Sequence, residues 1–341
     1  MGVGTLANFT RQLATMVQTG LTLVEALAIL ESQYSGYMAK VVSSLKRIIE
    51  GGSTFAQALG AYPKIFDNVF VSLVTAGEKA GILDKVLNRL AETLEKRKEF
   101  QAKVISALIY PIMIMIAMVG AAVVVLVYVI PQLMDLYSQY ESQLPWMTLM
   151  LMQLSNFTRN YWYIEGVIIA MLIVGSKIAL KTPDIRRRWE RLQLSLPIVG
   201  TLIEGIQITE LTRTLSLLSA AGVPIVQALE LVAEGQSLLV YEDGVRSAIR
   251  LVEKGTSLSD AFAQQDVFPS IVAQMLSVGE ETGKVDEIMG RVSAYFESES
   301  DHKVKGLTSA FEPIILMVLA CGVAFLVFAI IMPIYNLTTN L

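Results

Sequence analysis

Cysteine, histidine and charge are all scarce in this chain of 341 residues. The single cysteine, Cys321, sits inside an apolar run, which excludes an internal disulfide and any fold that depends on an oxidising compartment. The single histidine, His302, stands in the run DHKVKG, so no His/Cys cluster exists for zinc, and a solvated position beside an apolar segment is its expected place. Only 17% of the residues are charged, against about 25% in an ordinary soluble domain. The balance of 27 Lys+Arg against 31 Asp+Glu gives a net charge of −4, too weak and of the wrong sign for a nucleic-acid binder. No basic stretch followed by an apolar one opens the chain, so no cleaved signal peptide is expected. Leu6 breaks the myristoylation pattern. Convincing strand alternation is nowhere present.

What is present is apolar: 53% of residues are hydrophobic, mean hydropathy is +0.54, and the excess is concentrated in segments. No charge occurs from Val104 to Met134, or from Pro313 to Leu341. Each run exceeds the roughly 20 residues that a helix needs to cross hydrocarbon. A third segment, 161–180, contains Glu165 and Lys177, both near its ends where side chains reach the interface, and Tyr161, Trp162 and Tyr163 supply an aromatic belt. Between them, LPWMTLMLMQLSNF (144–157) reads as an interfacial helix or a short periplasmic hairpin. Residues 1–104 hold 12 Lys+Arg and residues 181–306 hold 13, whereas the loop 131–160 has Arg159 alone. By the positive-inside rule both large polar regions face the cytoplasm, with the N-terminus cytoplasmic and the C-terminus periplasmic.

Self-comparison reveals a direct repeat. FTRQLATMVQTGLTLVEAL (9–27) answers LTRTLSLLSAAGVPIVQAL (211–229), with Arg11/Arg213 and Gly20/Gly222 both 202 apart. Gly77/Gly279, Glu78/Glu280, Gly81/Gly283 and Asp84/Asp286 keep that offset, as do Lys103/Lys305, Pro111/Pro313 and Pro131/Pro333. Tyr110 corresponds to Glu312. Each repeat is a helical module followed by one span. Two such units in tandem would place their modules on opposite sides of a membrane, and the unmatched segment 161–180 returns the second to the first one's side. The expected fold is therefore all-α: an integral membrane protein with three transmembrane helices and two homologous cytoplasmic six-helix bundle modules. The expected boundaries are module 1 over 1–103, spans over 104–131, 161–180 and 307–333, a periplasmic loop over 132–160, module 2 over 181–306 and a periplasmic tail over 334–341. Within each module Gly20 and Gly222 mark a turn, Pro63 and Pro269 precede a helix ending near Gly77 or Gly279, and Asp84 and Asp286 fall in the first turn of the next.

Chemistry is hard to find. GEETGKV (279–285) approaches a phosphate-binding loop, but three residues rather than four separate its glycines and Val285 replaces the required hydroxyl. A turn between two helices is the expected reading. Glu280 and Glu281 with Asp286 could attract a cation, yet adjacent carboxylates on a helix point apart, so capping and solvation are favoured. Glu312 beside Pro313 could serve a proton path, but no second acid lies in that span. No serine or cysteine has a plausible base nearby. The expectation is a protein that is not an enzyme and needs no cofactor and no metal.

The doubled runs F/L-T-R-x-L, G-x-x-x-x-x-A-L and G-E-x-x-G-x-x-D, with the Lys103 to Tyr110-Pro111 run closed by Pro131, resemble the inner-membrane platform family of type IV pilus and type II secretion machines (the PilC or general secretion pathway F family). Lys305, Glu312, Pro313 and Pro333 repeat the membrane-entry run. The resemblance covers about residues 6–337. Many members carry a further N-terminal segment before the first such run, whereas Phe9 stands almost at the start here. The resemblance implies a homo-oligomeric scaffold in the bacterial inner membrane. Its cytoplasmic modules would dock on a hexameric secretion or pilus ATPase, and its spans would contact pilin or pseudopilin transmembrane helices and other inner-membrane assembly proteins. It also implies structural or partner-contact roles for the motif residues named above, Arg11 and Arg213 among them. A small oligomeric transporter or channel is the alternative, disfavoured by the shortage of polar residues in the spans.

Overall fold

The computed structural model describes residues 2–132, 182–197 and 199–339, with scattered positions between 149 and 179. Among the described residues every regular element is helical. Helices α1 (Val3–Gln18), α2 (Leu23–Gln33), α3 (Gly36–Glu50), α4 (Phe55–Gly60), α5 (Asn68–Ala80) and α6 (Leu83–Val124) cover the first repeat. Helix α7 (Pro183–Ser195) precedes the second, which comprises α8 (Val199–Ala220), α9 (Ile225–Gly235), α10 (Leu239–Val252), α11 (Leu258–Ala263), α12 (Ser270–Thr282) and α13 (Val285–Thr339).

The helices end where backbone chemistry ends them. Gly20 and Gly222 adopt φ of 93° and 76°, a left-handed conformation that side chains with a Cβ avoid, and each closes the first helix of its repeat. Thr22 then caps α2 by accepting from the amide of Glu25, whose carboxylate accepts from the Thr22 amide in return. In the second repeat Pro224 occupies the same boundary without a side-chain cap.

The chain divides into two compact units, Met1–Lys103 with Arg186–Lys303, and Val104–Ile185 with Val304–Leu341. In the first unit the two repeats do not fold as separate bundles. One apolar core runs through both, from Ala7 to Phe296, and helix α5 of the first repeat packs on α8 and α9 of the second. Packing is local inside each repeat, with α2 on α3 and α4 on α5, then α9 on α10 and α11 on α12.

The second unit is apolar. Two helices are long and apolar enough to cross a membrane, Leu83–Gln132 and Val285–Phe325. The segment 161–180 and the loop 132–160 lie largely outside the described residues, so the expected third span and interfacial helix are not described. Pro111 lies inside α6, and the helix continues past it. Pro131 is preceded by a π-helical turn over Val125–Val129, in which the Ile130 amide donates to the carbonyl of Val125. That shift leaves the Leu126 carbonyl without its usual donor, and Pro131 has no N–H to offer it. The Ser155 hydroxyl donates to this carbonyl instead. An unpaired carbonyl in hydrocarbon is costly, which is reason enough for a serine there.

Candidate functional site: the repeated motifs and the seam between modules

The F/L-T-R-x-L run lies on α1 and α8. Phe9 and Leu13, and their counterparts Leu211 and Leu215, are fully buried. The intervening threonines are buried too, and each hydroxyl returns to the carbonyl one turn earlier, Thr10 to Leu6 at 2.9 Å and Thr212 to Ile208 at 2.7 Å. The arginines lie at the edge of that core. Arg11 donates to Glu95 through Nε at 2.8 Å and Nη2 at 2.6 Å, and to Asn88 through Nη1 at 2.5 Å. Arg213 lies 2.9 Å from Glu297, close in distance but not aligned as a hydrogen bond. Glu95 and Glu297 are themselves 202 apart, so the ion pair is duplicated with the repeat. Neither arginine is a free surface contact.

The hydrogen bond from Arg11 holds the Glu95 carboxyl below its ordinary value and raises that of Arg11. A carboxylate with a depressed folded value stabilises fully above its unfolded value, about 4.3, and that contribution disappears as pH falls through the lower folded value. Glu95→Gln is therefore expected to flatten the acid limb of a pH-dependent unfolding curve below about pH 4. An acid limb identical to that of the parent would contradict the pairing.

The G-E-x-x-G-x-x-D run forms a corner between two helices in both repeats. Gly81 and Gly283 adopt φ of 68°. The amide of Ile82 donates to the carbonyl of Gly77, and that of Lys284 to Gly279, both at 2.9 Å, a left-handed helix cap. The helices α5 and α12 thus run to Ala80 and Thr282 rather than ending near Gly77 and Gly279. Gly77 and Gly279 have a different task. A Cβ on Gly77 would stand 2.9 Å from Val86 Cγ2, and one on Gly279 would stand 3.1 Å from Val285 Cα. These glycines let the following helix fold back against its predecessor. GEETGKV is accordingly a corner between two helices, not a strand-to-helix phosphate loop.

The motif glutamates cap a different helix. Glu78 accepts from the amides of Phe55 at 2.7 Å and Ala56 at 3.0 Å, the first two of α4. Thr54 accepts from the third, Gln57, at 3.2 Å. The three leading amides of α4 are thereby all satisfied. The second repeat reproduces this arrangement. Glu280 accepts from the amides of Leu258 at 2.6 Å and Ser259 at 2.9 Å and from the Ser259 hydroxyl at 2.7 Å, while Ser257 serves Asp260 at 3.1 Å. A carboxylate also favours the positive end of a helix. Glu280→Ala is expected to cost about 1 kcal/mol, the usual worth of such a cap, with Glu280→Gln recovering part of it. Denaturant unfolding of the solubilised full chain reads both, and equal losses for the two variants would contradict a capping role. Asp84 and Asp286 sit in the first turns of α6 and α13, and the Asp286 carbonyl accepts from the Ser216 hydroxyl at 2.7 Å.

The seam between the repeats carries polar contacts as well as the shared core. Lys103 lies 2.6 Å from Asp301, Arg97 3.6 Å from Glu210 and Lys96 3.8 Å from Glu297, and the Asn68 amide donates to Glu234 at 2.7 Å. Such exposed pairs contribute about 0–1 kcal/mol each, so the apolar core holds the seam and the charges set its register. Self-comparison finds Lys103 but not its partner, because Asp301 lies 198 residues from Lys103, off the repeat spacing of 202. Lys305 is exposed, as is Tyr110, whereas Pro111 is buried in the apolar unit. Pro313 lies within α13, as do Glu312 and Pro333. Among the described residues no group of three His, Cys, Asp or Glu side chains gathers as a metal site requires.

The description "type II secretion system (T2SS), protein F" matches residues 9–131 and, a second time, residues 211–333. The chain belongs to the type II secretion system protein F family. The two matched stretches share the offset of the internal repeat, so each repeat is one copy of the family's domain. Relatives carry names from two machines. A type IV pilus assembly protein PilC of Myxococcus xanthus is 34% identical over 96% of this chain and 79% of its own length. Another PilC, of Thermus thermophilus, is 36% identical over 100% of this chain and 84% of its own length. A type II secretion system protein F of Aeromonas hydrophila is 33% identical over 97% of this chain and 86% of its own length. In this chain the repeated residues Gly77, Glu78, Gly81 and their counterparts build helix corners and caps.

Proposed function

We propose that this chain is an inner-membrane platform protein of a type IV pilus or type II secretion machine, coupling a cytoplasmic hexameric ATPase to the insertion of pilin or pseudopilin into a filament. The observation that carries the reading is the doubled family domain whose two copies share one core. A motor pushing on either copy would load both, because one apolar core runs through the two. On this reading the unit built from residues 1–103 and 186–303 is cytoplasmic, the N-terminus lies with it, the C-terminus is periplasmic, and the protein works as a homo-oligomer beside other inner-membrane assembly proteins. The segment 161–180 crosses the membrane to bring the second copy back to the first one's side. The protein is a scaffold and transmits displacement without a catalytic step.

Deletion of the gene is expected to abolish filament assembly or secretion while pilin synthesis continues. The full chain is expected to co-purify with the ATPase of its own system. Normal piliation and secretion in the deletion strain would overturn the proposal.

A further inference from the structure

Helix α7 (Pro183–Ser195) is amphipathic the wrong way round for a soluble protein. Helices on a protein surface turn their apolar stripe inward. Here the polar face is the one docked on the protein. Arg186 donates to Glu190 at 2.8 Å and to the Ser237 carbonyl at 2.6 Å, and Arg187 donates to Asp243 at 2.8 Å. Glu190 is 2% exposed and accepts from the Val240 amide at 3.1 Å, near the start of α10. The opposite side carries Ile185, Trp189 and Leu192, spaced four and three residues apart, with Leu196 next along the chain, and all four are exposed. Arg188 and Arg191 are exposed as well and make no ion pair among the described residues.

We infer that α7 lies on the bilayer surface, its apolar stripe in the headgroup region and Arg188 and Arg191 on anionic lipid headgroups. Three features favour lipid as the occupant. The stripe contains tryptophan, whose amphipathic ring suits the interface. Exposed guanidiniums with no ion pair among the described residues flank it, complementary to anionic phosphates. Only Lys181 and Thr182 separate α7 from the apolar segment 161–180, and so short a connection reaches about 10 Å at most. The docked polar face fixes the orientation of the helix, so the stripe is presented with little freedom to turn inward. The inference needs the chain to sit in a bilayer and is indifferent to whether a motor grips it.

The test is depth-resolved fluorescence of Trp189 in the full chain reconstituted into vesicles. The other two tryptophans, Trp146 and Trp162, are replaced by phenylalanine. Should that background fold poorly, the difference in emission between the parent and Trp189→Phe gives the same readout. Lipids brominated near the headgroup are expected to quench Trp189 more than lipids brominated deep in the chain, because such a helix sinks only about 5–10 Å. Quenching is expected to rise when phosphatidylglycerol is added to phosphatidylcholine, and Arg188→Glu with Arg191→Glu is expected to remove that rise. Protection of Trp189 from aqueous acrylamide without any brominated-lipid quenching would put a protein surface, a second copy or a partner, on this face and overturn the inference. Full acrylamide access in every lipid would overturn it as well. A phosphatidylglycerol effect that survives the double charge reversal would overturn the role given to the two arginines.

Discussion

Replacing Phe9 by alanine will destabilise the module unit by about 3–5 kcal/mol, the cost of emptying a fully buried aromatic site. Phe9 has no exposed surface, and its ring centroid lies 6.3 Å from that of Tyr34 and 6.0 Å from that of Phe66. It thus joins the end of α2 and the loop before α5 to the first helix. Phe66 in turn meets Phe70 of α5 at 5.2 Å, the helix that packs on the second repeat. Loss of the ring therefore loosens the link between repeats as well as the first repeat itself. Phe9→Leu tests the argument from the other side. The second repeat already carries Leu211 at the equivalent place, also fully buried, so leucine is compatible with this local fold and is expected to cost about 1–2 kcal/mol. In a domain of this size each kcal/mol moves the melting temperature by roughly 2–4 °C. Thermal unfolding of the solubilised full chain separates the two variants, and equal shifts would refute the argument.

Gly77→Val will cost about 3 kcal/mol, at the upper end of what overpacking a tight contact costs. The added Cβ meets Val86 Cγ2 at 2.9 Å and Val86 Cβ at 3.1 Å. Val86 is β-branched and buried, so it cannot rotate aside cheaply. Gly77→Ala brings the same Cβ but gains up to about 1 kcal/mol of helix propensity inside α5. The two effects oppose each other, and steric strain wins by a smaller margin. Alanine should therefore be milder than valine in thermal unfolding of the solubilised full chain. A valine variant as stable as the parent would show that α5 and α6 do not approach as closely as described.

Much of this was legible in the sequence because it rests on local chemistry. The offset of 202 predicts two copies of one design, and Glu78 and Glu280, Gly81 and Gly283, and Thr10 and Thr212 then each hydrogen-bond at matching positions in the two copies. Two of the three expected spans correspond to helices long and apolar enough for the task. The glycine pair in G-E-x-x-G announces a corner, but spacing alone cannot separate the glycine needed for a left-handed backbone, Gly81, from the one needed for close approach, Gly77. That distinction depends on what stands opposite.

The sequence by itself determined the helical class, the glycine corners and the duplication, since 3.6-residue periodicity and glycine act within a few residues of one another. Only the tertiary structure decided that the two copies share one core, that Arg11 and Arg213 are bound by Glu95 and Glu297, and that Glu78 and Glu280 serve helices more than twenty residues away. Those pairings bring distant parts of the chain together, and a side chain's partner across such a gap is fixed by packing, which leaves no periodic trace. The outward face of α7 belongs with them: its stripe is plain in the sequence, but which side is docked is settled by Arg186, Arg187 and Glu190 finding partners on the second copy.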